Sequence, residues 1–330
     1  MSLSIKTKFT EIAQKTNFSG VIHIKHEQEK FQKAFNYRDK ANKIENNLKT
    51  RFAIASGTKG FTSVGIGKLI EKQELSLKTP VREILKEEAS FISNHVTISH
   101  LLGHTSGIGD YFDEETDLHI EDVSLEIPPQ KLISPFDYFP LLKKKEKSFN
   151  PGEKFSYCNS GYILLAAIIE RISNQPFQQF IQENVFNPAK MTSSGFFRSD
   201  SLPENTAIGY LSKTPDRSNL FHLPIIGSGD GGAYTTLSDM VQFWKCLLNN
   251  KLLVREITEK LTTQQTVFPK YCLGFWYDDK LNQVTLEGYD AGVSFFSTYS
   301  QNLELTILSN TASGAWPLLN EVKTLIKTKK

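Results

Sequence analysis

The sequence predicts an α+β fold: one antiparallel sheet built from strands at both ends of the chain, flanked by helices, with a large helical region inserted between them. Three observations predict it. Alternating apolar segments stand near the N-terminus, a second group of them stands near the C-terminus, and helical patterns fill the middle.

In order along the chain, "FSGVIHIKH" and "KFQKAFNYRD" alternate as two strands of a hairpin joined by the polar "EQE". From Ser56 to about Arg255 helical patterns dominate, punctuated by "TP", "IPP", "NPGE", "NPAK" and "KTP". Strands return in "YCLGFWYD", "QVTLEG", "GVSFFSTYS" and "LELTILSN", and an amphipathic helix around "WPLLNEVKTLIKT" closes the chain. Strands contributed from both termini imply a single composite domain over 1–330. Its α/β part covers about 1–60 and 265–330, and its helical region about 61–264.

Composition narrows the function classes. Apolar residues are 39% and charged residues 22% of 330, a globular balance. Lys plus Arg exceed Asp plus Glu by only 38 to 36, so no global charge favours nucleic acid or an anionic membrane surface. The longest apolar run, "YILLAAII", is far below the roughly 20 residues that span a bilayer. The opening "MSLSIKTKFTEIAQKT" lacks the apolar core of a secretion signal, which predicts a cytoplasmic protein as the sequence stands and an exported one if a leader has been removed. Cys158, Cys246 and Cys272 are odd in number and widely spaced, which predicts neither a disulfide framework nor a zinc site.

Ser56 and Lys59, in "RFAIASGTKG", form the one Ser-x-x-Lys in the chain, at the head of a helical pattern. Residues three apart share a helix face, so the amine can reach the hydroxyl and activate it as a nucleophile. Gly57, Gly60, Gly65 and Gly67 follow, which is expensive in a helix and predicts close approach by neighbouring backbone. In "NPGEKFSYCNSGYILLAAII", Tyr157 and Asn159 stand in a turn before a helix beginning near Ser160. A phenol beside a charged Lys is expected to have a lowered pKa and to relay the Ser proton, and Asn159 to hold Lys59 and a substrate amide.

Taken in order, "FSGVIHI", "RFAIASGTK", "LSLKTPVREIL", "VTISHLLGHTSGI", "NPGEKFSYCNSGYILLAAIIE", "GDGGAYTTLSDMVQFWKCLL" and "LTILSNT" resemble the landmarks of the serine beta-lactamase and penicillin-binding-protein superfamily, class C branch, which includes esterases and D-amino peptidases. The resemblance runs from about Phe18 to Thr311. It implies the beta-lactamase/transpeptidase-like fold and an acyl-enzyme mechanism. Ser56 would attack a carbonyl, Lys59 and Tyr157 would move protons, and Asn159 would orient Lys59 and substrate. No cofactor or metal is implied, and the partner is a small-molecule or short-peptide substrate.

One landmark is altered. Neither Lys-Thr-Gly nor His-x-Gly occurs, and "EGYDAGVSFFS" sets Tyr289, Asp290 and Ala291 at the matching position. The N–H of Gly292 is expected to join that of Ser56 as an oxyanion donor. Tyr289 carries no cation and Asp290 adds an anion, which predicts weak or absent beta-lactam hydrolysis and a preference for neutral or cationic acyl substrates. The rival expectation is a catalytically impaired binding or sensor protein on the same fold.

Other signals carry less. "GSGDGG" has the Gly-x-Gly-x-x-Gly spacing without a βαβ context, and the next helix has its own cap at Thr236 with Asp239 three on. His100 and His104 are four apart, but Gly103 ends the helix between them, so His104 is expected to stabilise the "GHTSG" turn. The lysines of 143–147 read as a solvated loop, and the acidic stretch 110–126 as a long polar loop of the kind that forms lids.

Overall fold

The computed structural model of the chain describes residues 5–112, 114 and 120–327. Strands β1 (Gly20–His26) and β2 (Glu29–Phe35) form the N-terminal hairpin. Two short pairs follow: β3 (Tyr37–Asp39) with β4 (Ile44–Glu45), and β5 (Phe52–Ala53) with β6 (Tyr234–Thr235). The last strands are β7 (Trp276–Asp278), β8 (Gln283–Asp290), β9 (Val293–Tyr299) and β10 (Leu303–Ser309). Six of them make one antiparallel sheet in the order β2-β1-β10-β9-β8-β7, so the two termini meet where β1 pairs with β10, Ile22 opposite Ile307.

Period-two alternation sends successive side chains to opposite faces, and both faces are covered. Ile22, Ile24, Phe296, Leu305 and Ile307 pack under α1 (Ile5–Lys15) and, at the other end of the chain, α10 (Ala315–Lys327). Val21, Phe295 and Leu308 face the main core with the helical region. That region contains α2 (Thr58–Glu71), α3 (Val81–Leu85), α4 (Ile98–Leu102), α5 (Phe139–Leu142), α6 (Asn159–Ser173), α7 (Phe177–Ile181), α8 (Leu237–Leu248) and α9 (Arg255–Thr262). α8 lies on the sheet, where Trp244 Nε1 donates to Ser297 Oγ at 2.9 Å.

Three features depart from the sequence reading. α1 stands where no helix was expected, its Ile5, Phe9 and Ala13 buried. Residues 187–233 contain no helix or named strand among the described residues, although the helical reading ran through them. The "YCLGFWYD" strand shrinks to Trp276–Asp278. The proposed lid falls in part on 113 and 115–119, outside the described residues.

α2 and α6 are buried almost all round, as befits central helices. The glycines of α2 and of the turn before it make room for side chains rather than backbone. A Cβ would meet Phe295 at Gly57, Leu286 at Gly60, Ile181 at Gly65 and Leu253 at Gly67.

Candidate active site

Ser56 sits in a 3-10 turn, Ala55–Gly57, that leads into α2. Ala55 adopts φ 45°, a left-handed conformation that side chains disfavour, which sets the backbone kink just before Ser56. Strand β8 presses against this turn. Gly288 permits the approach, since a Cβ there would lie 2.0 Å from Ile54 O. Thr58 fixes the turn from the other side: its Oγ1 donates to Ala55 O and accepts from Ala233 N.

The first turn of α2 places Lys59 beneath Ser56, 2% exposed. Lys59 Nζ lies 2.9 Å from Ser56 Oγ, 2.7 Å from Asn159 Oδ1 and 2.7 Å from Asp230 O. Its ammonium has three donors, and these three partners engage all of them. The "GSGDGG" loop therefore presents backbone oxygens to α2, Asp230 O to Lys59 and Gly229 O to Thr62 Oγ1.

Tyr157 completes the cluster, with Lys59 Nζ 4.9 Å from its ring centroid. Its ring lies between His104 at 4.3 Å and Trp276 at 5.8 Å. His104 Nδ1 accepts from Cys158 N and its Nε2 meets Tyr271 OH at 3.1 Å, which holds the "GHTSG" turn against the Tyr157 segment. Burial and the nearby Lys59 keep His104 well below the ordinary imidazole range, hence neutral.

Two expectations change. The Tyr157 phenol was expected to be lowered by Lys59. Burial, then the negative charge of Glu114, instead push it well above the ordinary phenol range, with the neighbouring Ser56 side chain opposing. Asn159 was expected to reach a substrate with its amine, but Nδ2 already donates to Phe112 O and Glu114 Oε1, both at 2.9 Å. Only its carbonyl serves Lys59.

Asp110, which the sequence reading passed over as one acid in a polar run, organises this corner. α6 begins at Asn159 with no side-chain cap from Cys158. Asp110 supplies the missing acceptors: Oδ2 takes Asn159 N and Oδ1 takes Ser160 N, each at 2.8 Å. Burial pushes its carboxyl up to about 6 against these hydrogen bonds. No local signal marks this role, because Asn159 and Ser160 are themselves common helix-capping residues and Asp110 lies 49 residues upstream.

Ser56 and Asn159 open onto one cavity whose walls include Glu114, Asp230, Tyr289 and Asp290. Asp230 Oδ2 accepts from Tyr111 OH at 2.5 Å, and burial raises its pKa. Burial, then the charges of Glu114 and Asp230, push Asp290 to about 7. Ala291 and Gly292 form the turn from β8 to β9 beyond this wall. Ala291 O accepts from Asn219 Nδ2, and Gly292, at φ 68°, packs on Gly209 and Tyr210. Of the two expected oxyanion donors, Ser56 alone belongs to a residue of the cavity wall.

The Beta-lactamase family model matches residues 6–323. PbpX of Bacillus subtilis (strain 168) is 30% identical over 278 residues, 82% of this chain and 64% of PbpX. Penicillin-binding protein 4* of the same strain is 29% identical over 273 residues, 77% of this chain and 58% of its own length. The chain thus spans about three fifths of the curated relatives it matches. Among solved structures, a penicillin binding protein from Bacillus halodurans superposes with a TM-score of 0.89 at 36% identity, covering 96% of this chain and 99% of that one. The D-amino acid amidase from Ochrobactrum anthropi SV3 complexed with L-phenylalanine gives 0.79 at 17% identity over 99% of both chains, a likeness of fold alone.

Proposed function

The chain belongs to the beta-lactamase family, and on that premise we propose that it is a serine hydrolase, one composite catalytic unit acting through an acyl-enzyme on a small ester, amide or D-peptide. The observation that carries the reading is the buried Lys59 ammonium held between Ser56 Oγ at 2.9 Å and Asn159 Oδ1 at 2.7 Å.

With one proton removed, Lys59 keeps two N–H groups for Asn159 and Asp230 and turns its lone pair to the Ser56 hydroxyl. Ser56 Oγ then bonds to the substrate carbonyl carbon as its proton passes to Lys59, while the Ser56 N–H supports the oxyanion. The bond to the leaving amine or alcohol breaks, that group takes the Tyr157 proton, and Lys59 returns its own to Tyr157. A raised phenol pKa suits this donor role better than the base role expected from sequence. Water next bonds to the acyl carbon, its proton returns through the same pair to Ser56, and the acid leaves.

Tyr289, in place of a cation, favours the rival reading of a binding protein that traps ligands without turnover. Intact-protein mass after incubation with a penicillin and, separately, an activated acetyl ester separates the two. Turnover of either reagent, lost in Ser56→Ala, is the expected result. A persistent adduct without turnover selects the binding protein, and labelling of Ser56→Ala removes the assignment of the nucleophile.

A further inference from the structure

Resting on the serine-hydrolase reading, we propose that the cavity selects acyl donors bearing a primary ammonium on an apolar acyl group and rejects those bearing a carboxylate. No Lys or Arg is among the lining residues, whereas Glu114, Asp230 and Asp290 all are. The nearest cation, Lys59, is buried and held by Ser56, Asn159 and Asp230 O. In either protonation state it has no donor left for a substrate carboxylate.

The three carboxyl groups have neutral partners: Glu114 the Asn159 amide, Asp230 the Tyr111 hydroxyl, and Asp290 the Ala291 N–H at 2.8 Å. None of them forms an ion pair among the described residues. Asp230 is buried, Asp290 half-buried and Glu114 exposed at the mouth, so like charges gather along one wall, and an arriving ammonium relieves their repulsion while an arriving carboxylate adds to it. Burial and then the charges of Glu114 and Asp230 raise Asp290, whereas Asp230 is raised by burial alone.

A second observation points independently to a polar ligand. Ser228 is 1% exposed, lines the same cavity, and its Oγ has no hydrogen-bond partner among the described residues. Ser199 Oγ and His222 Nδ1, in the same wall, are also buried without partners. A buried polar atom left unpaired costs about 1–3 kcal/mol, so a ligand that bonds to these groups gains from them. Between the polar groups, Phe112, Leu125, Ile225 and Val293 give the acyl body an apolar bed.

The test uses three thioesters of one hydrophobic acyl skeleton, with a free amine, an N-acetyl or an N-succinyl group, as substrates of the whole chain. We expect kcat/KM to fall about tenfold or more at each step from amine to acetyl to succinyl, the scale of one mispaired charge. In Asp290→Asn, the amine-to-acetyl ratio measured within that variant should fall several-fold. Binding of the three corresponding amides to Ser56→Ala, by calorimetry, should keep the same order without any chemistry. Absence of acylation with all three thioesters defeats the hydrolase reading. Equal affinity of the three amides, or tightest binding of the succinyl one, overturns this inference whether or not the chain is a hydrolase.

Discussion

On the α2–α6 side of the cavity the polar groups close on one another. Lys59 is held by three oxygens, Asn159 by Lys59 and the 112–114 segment, and Asp110 by the start of α6. Elsewhere on the wall, in the irregular chain between 197 and 228, Ser199 Oγ, His222 Nδ1 and Ser228 Oγ are buried without a partner among the described residues. Reacting groups gain from being fixed before substrate arrives, because no reorganisation is then needed in the transition state. Recognition groups gain from being left open. The difference teaches which groups are fixed for the chemistry and which are left open to a ligand.

The largest break in that comparison is Lys59→Ala. Removing a group that three partners enclose should lower acylation of Ser56 by roughly 10²-fold or more, and Tyr157→Phe by a similar order, measured by stopped-flow acylation with an activated ester. A rate within threefold of the parent in Lys59→Ala would show that the closed network is structural only.

Next in size is Asp110→Ala. Two N–H groups at the start of α6 would lose their acceptors in a buried place, and stability should fall by about 2–3 kcal/mol in urea unfolding. Unchanged stability would mean that water replaces the cap, and the α2–α6 side would then be less closed than its hydrogen bonds imply.

Asp290→Asn separates the two sides by pH. The carboxyl titrates at about 7 in the folded chain against an ordinary 3.8, so the folded state prefers the protonated form. Its stabilising contribution is complete below about pH 4 and is lost as pH rises through 7. The gap corresponds to about 4 kcal/mol at 1.36 per unit, and about half of that after allowance for a side chain that water still reaches. Asp290→Asn should therefore be about 2 kcal/mol more stable than the parent at pH 8 and equal to it at pH 4. A gain that is the same at both pH values would remove charge as the cause.

What the sequence made legible follows the same division. The strands of "GVIHIKH" and "LELTILS" were readable because burial of both faces leaves a local apolar pattern, and Ser56 with Lys59 because a helix turn fixes their spacing. Helix α1 carried its signal too, in the four-residue spacing of Ile5, Phe9 and Ala13, but its polar remainder hid it. Residues 187–233 were misread because distant partners order them, as when Asn219 Nδ2 donates to Ala291 O. Asp110 was illegible for that reason, since its partners lie 49 and 50 residues away. The direction of the Tyr157 shift depended on burial and on Glu114, neither of which adjacency to Lys59 reveals.

The smallest expected effect is the sharpest probe of the open side. The Ser228 hydroxyl makes no hydrogen bond among the described residues, its backbone N–H alone donating to Gly231 O, so Ser228→Ala deletes a buried hydroxyl whose desolvation the fold does not offset. Such a change should raise stability by roughly 1 kcal/mol, the reverse of the usual loss when a buried polar group is removed from its partner. If the hydroxyl serves a ligand, the same variant should raise KM several-fold for its best thioester and leave kcat nearly unchanged, because a bond equal in ground and transition states affects binding alone. Stability gained with KM unmoved would make Ser228 a cost of the backbone path that the "GSGDGG" turn imposes. Stability gained together with weaker binding would mark a residue kept against the interest of the fold, which is how a recognition group differs from a structural one.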